Sequence, residues 1–202
     1  MRCPPSLRLM TATTLDRPLS VVGVSGSTHS PSRTTALVAE ILDVVARDRD
    51  VDTHLVEVDR IGPGLAGTVR RSELPPSIQG ELARIESADL LVVASPVYRA
   101  SYTGLFKHLF DFVEQYALVG TPVLLAATGG SERHGLMIEH QLRPLFGFFQ
   151  SLTLPNGIYA SDADFTDYRI SSDELQERIE TAVARALPVV ARIAPEVRSA
   201  YF

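Results

Sequence analysis

The first strongly apolar run of the chain leads directly into a hydroxyl-rich turn, and an amphipathic helix pattern follows. Residues 19–24 predict a buried strand, and apolar positions recur at helical spacing over residues 34–46. A helix that begins at such a turn presents unpaired N–H groups and the positive end of its dipole, which stabilise an anion. The turn therefore predicts a phosphate site, with these candidate donors: Ser25, Ser27, Ser32, Arg33, Thr34 and Thr35.

The residues missing from this turn narrow the choice of ligand. The turn has no lysine and no Gly-x-x-x-x-Gly-Lys-Ser/Thr pattern, which argues against a P-loop NTPase. It also lacks Gly-x-Gly-x-x-Gly, the fingerprint of dinucleotide binding. A terminal monophosphate is then the better ligand. Ordinary helix capping explains the turn equally well when it is taken alone, because serine and threonine are favoured caps.

The rest of the chain continues the alternation of strands and helices. A continuous apolar run at residues 89–94 is typical of a central parallel strand that is covered on both faces. The other predicted elements are strands at 51–58, 122–127 and 153–159, helices at 77–87, 104–116, 132–149 and 172–194, and a Gly/Pro-rich loop at 61–76. This order predicts an α/β fold, a doubly wound parallel sheet with helices on both faces. We expect a flexible leader at 1–18, a single domain at 19–194 and a tail at 195–202.

Three chemically suggestive turns follow predicted strands, at the carboxyl ends where doubly wound sheets bind ligands. The first is the hydroxyl-rich turn. The second begins at Ser95 and Pro96, a proline that stiffens the loop, and offers Tyr98 as an aromatic wall or as a lid over the core edge. The third contains Gly129 and Gly130, which permit close backbone approach. We expect the three turns to form one crevice for an elongated ligand.

Composition and residue spacing exclude several kinds of partner and site. The formal net charge is −5 and the pI is near 5.5, so the chain lacks the excess positive charge that favours binding to nucleic acid or anionic membranes. The single cysteine, Cys3, gives neither a disulfide framework nor a thiolate metal cluster. Paired carboxylates, metal-ligand spacing and a Ser/His/Asp set do not occur at the predicted crevice. We expect a small-molecule partner and a cytoplasmic location.

The motifs of the three turns together resemble the NAD(P)H-dependent FMN reductase family. The likeness spans residues 21–158 and is carried by Ser25-Gly26-Ser27, Ser32-Arg33-Thr34, Ser95-Pro96-Val97-Tyr98 and Ala127-Thr128-Gly129-Gly130. Through His134 and Leu142-Arg143-Pro144 the chain is most similar to reductases that supply reduced FMN to sulfonate-cleaving monooxygenases. The resemblance implies a flavodoxin-like five-stranded sheet of order 2-1-3-4-5. It also implies FMN, NADPH or NADH, and a monooxygenase partner.

The resemblance further implies roles for individual residues. The six donors of the hydroxyl-rich turn would hold the FMN phosphate. The isoalloxazine would be bordered by Pro96, Val97, Tyr98 and Ala100, and its pyrimidine edge would face Thr128, Gly129 and Gly130. Hydride would pass from the nicotinamide to the flavin N5 with no obligatory protein acid or base, and His134 is a candidate for assistance.

The helix pattern over residues 132–149 contains a predicted irregularity. Pro144 cannot donate the helical hydrogen bond to the His140 carbonyl, so we expect a kink or a π-type turn. In the sulfonate-linked reductases that this segment resembles, an aromatic insertion occupies this place in a helix at the subunit interface, and His140 would be its counterpart. A surface histidine before a proline kink is the alternative. The many apolar residues of this segment predict a homodimer or homotetramer.

Several functions stay open from the sequence alone. The same turns would build a reductase that retains FMN and passes electrons to a quinone, an azo compound or a metal ion. A flavodoxin-like electron carrier without nicotinamide oxidation, or a phosphate-ester binding protein without flavin, are further alternatives. The choice between NADPH and NADH is also open, with Arg33, Arg99 and Arg133 as candidate contacts for a 2′-phosphate.

Overall fold

The computed structural model describes residues 17–190, which are built around a parallel sheet. The strands are β1 (Leu19–Ser25), β2 (Val51–Glu57), β3 (Leu90–Pro96), β4 (Pro122–Gly129), β5 (Leu152–Thr153), β6 (Ile158–Ser161), β7 (Phe165–Thr166) and β8 (Arg169–Ile170). The helices are α1 (Arg33–Asp48), α2 (Val58–Leu65), α3 (Pro76–Glu86), α4 (Gly104–Asp111), α5 (Arg143–Phe148) and α6 (Asp173–Val190). Short 3-10 turns lie at Arg71–Glu73, Glu132–His134 and Asp162–Asp164, and a π-helix at Ile138–Leu142. Within this part of the chain, no helix is long and apolar enough to cross a membrane.

The predicted leader and tail lie outside the described residues, except for Arg17 and Pro18 at the end of the leader. The Arg17 guanidinium donates two hydrogen bonds to the Asp89 carboxylate, at 2.6 and 2.8 Å. Asp89 also accepts a hydrogen bond from the Ser20 N–H at 2.8 Å. Asp89 therefore joins the start of β1 to the start of β3.

The sheet has the strand order β2-β1-β3-β4-β5, and its strands are parallel. This order confirms the predicted doubly wound fold. The predicted fifth strand is divided, because β5 pairs with the start of β4 and β6 pairs with its end. The Leu154 N–H still donates to the Val123 carbonyl of β4, and regular pairing resumes only at Ile158, after Pro155, which has no N–H to donate.

Strand β3 shows why this sheet is covered on both faces. Its side chains alternate between two hydrophobic cores, as the pleat of a strand requires. Leu91 and Val93 belong to the core built with α2, α3, α4 and α5. Leu90 and Val92 belong to the core built with α1 and α6. All four side chains are fully buried, which confirms the prediction of a central strand.

The prediction of a loop over residues 61–76 is wrong for its first residues, which belong to α2 in the structure. This helix contains Pro63, and the Gly/Pro composition favours a loop when only local propensity is considered. However, α2 buries Val58, Gly62 and Leu65. Burial of that face against the rest of the core outweighs the poor helix propensity of the segment.

Three other predicted helices differ in extent or type. The helix predicted over 104–116 ends at Asp111, because the Phe112 N–H bonds to the Leu109 carbonyl in a tighter turn. The helix predicted over 132–149 is a 3-10 turn, a π-helix and α5 in succession. The helix predicted to end at residue 194 is described as far as Val190.

A polar contact that we name the Arg71 clasp, formed by Arg71, Glu86, Phe112 and Glu114, ties α3 to the segment after α4. Both terminal nitrogens of Arg71 donate to the Glu86 carboxylate, and one also donates to the Phe112 carbonyl at 2.8 Å. The Glu114 N–H donates to Glu86 at 2.9 Å. Burial raises the pKa of Glu86, but hydrogen bonds from Arg71 and the Glu114 N–H, with the Arg71 charge, hold it below its ordinary value.

Candidate active site

The structure brings the three predicted turns together, as the strand order requires. The Thr103 hydroxyl donates to the Gly26 carbonyl at 2.7 Å, which joins the second turn to the first. The Val97 N–H donates to the Thr128 carbonyl at 2.8 Å, and the Thr34 and Thr128 hydroxyl oxygens are 2.7 Å apart. We name this joined region the carboxyl edge, and define it as residues 25–35, 95–104 and 128–131.

Two pairs of hydroxyl groups lie inside the carboxyl edge. The Ser25 and Thr35 oxygens are 2.8 Å apart, and the Thr34–Thr128 pair is fully buried. A hydroxyl carries one hydrogen and two acceptor lone pairs. Each pair therefore uses one O–H for its own bond and leaves the second O–H as a donor for an anion.

Two further serines of the first turn, Ser27 and Ser32, hold its shape. Ser32 is the N-cap of α1 and accepts a hydrogen bond from the Thr35 N–H at 3.3 Å. The Ser27 hydroxyl donates to the His29 carbonyl at 3.0 Å and is buried. Both contacts shape the turn around the first N–H groups of α1, which is the arrangement that favours an anion.

Arg33 has two partners that the sequence did not reveal. One terminal nitrogen is 3.0 Å from the Asp162 carboxylate, and the guanidinium lies 5.5 Å from the centroid of the Tyr168 ring. The Nε atom is buried and has no hydrogen-bond partner among residues 17–190. Asp162 and Tyr168 thus contact the Arg33 guanidinium, whereas its Nε–H has no acceptor among the described residues.

The second turn contains a strained two-residue hairpin. Tyr98 and Ser101 exchange backbone hydrogen bonds of 2.8 and 3.1 Å, and the intervening Arg99 and Ala100 have φ values of 50° and 67°. Positive φ at both central positions is the geometry of a type I′ turn, in which glycine or asparagine is preferred. The hairpin therefore stores strain at the predicted ligand edge.

This hairpin is linked to its neighbours on either side. The exposed Tyr98 hydroxyl lies 3.5 Å from Nδ1 of His29 in the first turn. The Ser101 hydroxyl donates to Oε1 of Gln141 in the π-helix at 3.1 Å. Of the two residues before the hairpin, Pro96 ends β3, and Val97 is half-buried and lines a cavity.

The two glycines of the third turn have different surroundings. A Cβ atom at Gly129 would overlap the Tyr159 hydroxyl, which donates to the Ser131 carbonyl at 2.5 Å. A Cβ at Gly130 would meet no atom within 4 Å. Burial, with nearby acidic charges from Glu132 and others, raises the pKa of Tyr159 and keeps its hydroxyl protonated as a donor.

An open cavity of about 220 Å³ lies between the second turn and the segment after β4. His134 and His140 both line it and are exposed, and Arg133 is the candidate for a 2′-phosphate contact that reaches it. The complete lining is Val97, Ala100, Arg133, His134, Leu136, Met137, His140 and Gln141. The cavity adjoins the predicted isoalloxazine border through Val97 and Ala100.

The predicted irregularity before Pro144 is confirmed as the π-helix at Ile138–Leu142. His140 lies within it, and α5 begins immediately afterwards with Pro144 in its first turn. Arg143 donates to the Glu139 carboxylate at 2.5 and 2.7 Å and to the Leu154 carbonyl at 3.0 Å. The hydrogen bond from Arg143 outweighs burial and lowers the pKa of Glu139, and the pair links the π-helix to the first residue of α5.

The first turn fits the phosphate of a flavin mononucleotide. The buried Nε of Arg33 is a donor without a partner, and each hydroxyl pair retains one O–H. These donors surround the start of α1, where backbone N–H groups add to them. Among the predicted site residues, Thr34 of the first turn contacts Thr128 of the third turn, and Tyr98 is exposed.

Comparison with known proteins gives the same assignment of fold and chemistry. The chain is 54% identical over 175 residues to NADH-dependent FMN reductase SfnF of Pseudomonas fluorescens, covering 87% of this chain and 94% of that protein. It is 53% identical to FMN reductase (NADPH) of Pseudomonas aeruginosa, covering 85% and 92% respectively. The apo crystal structure of the NADH:FMN oxidoreductase EmoB superposes with a TM-score of 0.76 at 27% identity, over 88% of this chain and 91% of that one.

The family model described as NADPH-dependent FMN reductase matches residues 19–166, a span that includes all three turns of the carboxyl edge. The match therefore covers the sheet from β1 to β6 and the hairpin strand β7. This chain belongs to the NADPH-dependent FMN reductase family.

Proposed function

We propose that this protein is an NAD(P)H:FMN oxidoreductase that transfers hydride from a nicotinamide to FMN. The hydrogen bonds that join the three turns carry the proposal. They unite a phosphate site, an aromatic hairpin and a glycine turn along one edge, which suits a ligand with a phosphate at one end and a flat ring at the other. The family membership supplies the chemistry that this shape accommodates.

In this proposal, different residues of the carboxyl edge contact different parts of FMN. Six side chains form the proposed phosphate site, in which Ser27 and Ser32 shape the turn and the others face the phosphate: Ser25, Ser27, Ser32, Arg33, Thr34 and Thr35. The ring system would lie against Pro96, Val97, Tyr98 and Ala100, with Thr128, Gly129 and Gly130 at its pyrimidine edge. When bound, FMN supplies the hydride acceptor at N5.

The chain's own residues bind and orient rather than transfer protons at an obligatory step. The Tyr159 hydroxyl donates to the Ser131 carbonyl and so anchors the third turn, whose backbone N–H groups would stabilise negative charge at the ring edge. His134 lines the adjoining cavity and is positioned to assist there. This cavity, bounded by Val97, Ala100 and His140, is the proposed site for the nicotinamide ring.

The donor is NADH or NADPH, and relatives are named for either one. Arg133 is the contact that we favour for a 2′-phosphate, because it adjoins the proposed nicotinamide cavity whereas Arg33 is assigned to the flavin phosphate in this proposal. Arg99 is exposed at the strained hairpin and stays a second candidate. Replacing Arg133 with Ala and comparing KM for NADPH and NADH tests this assignment.

We further propose a cytoplasmic homodimer or homotetramer that supplies reduced FMN to a flavin-dependent monooxygenase. The segment around His140 is the proposed subunit interface. It presents exposed apolar side chains at Leu136 and Phe148, which are 66% and 62% exposed, beside Leu152 of β5. Sedimentation at equilibrium tests the assembly, and a monodisperse monomer contradicts it.

The proposed activity is tested by mixing the purified protein with FMN and following NADH and NADPH oxidation at increasing FMN concentration. Gel filtration then shows whether the flavin stays bound. Saturable dependence on added FMN, with loss of flavin on the column, is the expected result. No oxidation with either nucleotide contradicts the proposal.

A second candidate is a reductase that retains FMN and reduces a quinone, an azo compound or a metal ion. One relative, 26% identical over 71% of this chain, is named an FMN-dependent NADPH-azoreductase of Staphylococcus haemolyticus. Flavin that remains bound on the column, with turnover only after a quinone or dye is added, favours this candidate. Bound flavin without nicotinamide oxidation favours the electron carrier.

A further inference from the structure

Tyr168 lies in an unusual backbone conformation on the hairpin formed by β7 and β8. It is the second of two turn residues, and Asp167 and Tyr168 have φ values of 48° and 61°. Such turns favour Asn-Gly or Asp-Gly, and a bulky residue with positive φ is an outlier. Strain of this kind clusters at ligand clamps, so the hairpin is a candidate for a functional role.

Contacts of the residues that flank the β7–β8 hairpin hold the strained turn in place. Phe165 is buried, and the Ser171 N–H donates to the Asp164 carbonyl at 2.9 Å on the other side of the hairpin. Asp164 also accepts hydrogen bonds from the Ser161 N–H and hydroxyl, at 2.7 and 3.0 Å. The position of Tyr168 is therefore set by the core and not by the loop alone.

Tyr168 is 43% exposed, and its ring lies against the Arg33 guanidinium. The distance from the ring centroid to Cζ of Arg33 is 5.5 Å. Asp162, at the base of the same hairpin, is 3.0 Å from one terminal nitrogen. Two residues of one hairpin segment, one acidic and one aromatic, therefore contact the guanidinium. They leave the buried Nε as a donor without a partner among the described residues.

We propose that Tyr168 is a positioning residue that holds Arg33 in the orientation that receives the flavin phosphate, an inference that rests on the proposed function. An arginine without this support loses side-chain freedom when the ligand binds, and that loss weakens the complex. Because Tyr168 restrains Arg33 before the ligand binds, it removes part of this entropic cost. Replacing Tyr168 should therefore weaken phosphate binding only when Arg33 is present.

The test compares affinities for FMN and for riboflavin, which lacks the phosphate, measured by quenching of flavin fluorescence. Tyr168→Gly removes the ring and also suits the positive φ of the turn, so the fold is not weakened at this site. Tyr168→Phe keeps the ring and is the matched control. Both substitutions are also made in an Arg33→Ala background, and thermal melting reports on the fold.

We expect Tyr168→Gly to weaken FMN binding by roughly two- to fivefold, the range of an exposed cation–π contact, and to leave riboflavin binding unchanged. Tyr168→Phe should bind FMN like the parent, and Tyr168→Gly should have no further effect without Arg33. Unchanged FMN affinity in Tyr168→Gly overturns the inference. So does an equal loss for both flavins, which would mean that the ring contacts the flavin itself. A parent protein that binds neither flavin contradicts the proposed function, and the inference with it.

Discussion

The carboxyl edge and the Arg71 clasp use polar groups in opposite ways. In the clasp, the Glu86 carboxylate receives hydrogen bonds from Arg71 and from the Glu114 N–H, and Arg71 also satisfies the Phe112 carbonyl. At the carboxyl edge, Arg33 keeps a buried donor without a partner among the described residues, and the hairpin at Arg99 has unfavourable φ values.

This difference separates stabilising structure from binding structure. A hydrogen-bonded ion pair that is satisfied on both sides contributes to folding, because neither charge is left without a partner. Donors that are left over, and backbone held in a strained conformation, contribute nothing to folding and are retained where a ligand uses them. Substitutions at the two regions should therefore change different measured quantities.

The largest effect is expected from Gly26→Ala at the carboxyl edge. A Cβ atom there would lie 2.7 Å from Cδ2 of the fully buried Phe106 and 3.1 Å from the Ala94 carbonyl oxygen. We expect a loss of about 2–3 kcal/mol in the free energy of unfolding, as overpacking produces. Urea denaturation measures it. Gly104→Ala is the matched control, since its Cβ would meet no atom within 4 Å, and equal losses in the two variants would contradict the packing argument.

Glu86→Gln tests the clasp and should act on stability alone. Because the folded-state pKa of Glu86 is lowered, its contribution is present above the unfolded pKa of about 4.3 and is lost as pH falls through the folded value. We expect a loss of about 1–2 kcal/mol at pH 7 that shrinks on acidification, with FMN affinity unchanged. The control is Glu73→Gln, whose exposed pair with Arg70 should contribute less than about 1 kcal/mol. A pH-independent difference between parent and Glu86→Gln would refute the charge argument.

Gly129→Ala should affect binding more than folding. The new methyl group would displace the Tyr159 hydroxyl from the Ser131 carbonyl and move the third turn. We expect KM for FMN to rise about tenfold, equivalent to about 1.4 kcal/mol of lost binding. Gly80→Ala in α3 is the matched control, since its Cβ would meet no atom within 4 Å and lies outside the proposed site, and it should leave KM within about twofold. If both variants behave like the parent, the third turn does not contact the flavin.

Ala100→Gly should give the smallest change, and in the stabilising direction. Glycine adopts the φ of 67° without strain, so we expect a gain of about 0.5–1 kcal/mol in the free energy of unfolding. Ala83→Gly, at an exposed position inside α3, should lose a similar amount. Thermal melting of both variants checks that Ala100→Gly is stabilised and Ala83→Gly is destabilised relative to the parent. A loss in Ala100→Gly would show that the hairpin is not strained.

The sequence predicted the doubly wound parallel sheet, because the alternation of strands and helices is a local pattern. The resemblance to the FMN reductase family, and not periodicity, implied the observed strand order, and the turns after β1, β3 and β4 lie together as expected. Pro144 led to the π-helix, since one missing N–H disturbs the helix in a predictable way. The roles of the individual site residues stay predictions that the experiments above address.

The sequence by itself determined most of the strands and helices and the hydroxyl-rich turn that begins α1, because periodicity and capping are properties of neighbouring residues. Only the tertiary structure decided that α2 forms around Pro63, that Gly129 must leave room for Tyr159, and that Arg33 meets Asp162 and Tyr168. Those contacts join segments that are distant along the chain. No local pattern records them, because they arise from how the folded layers approach one another.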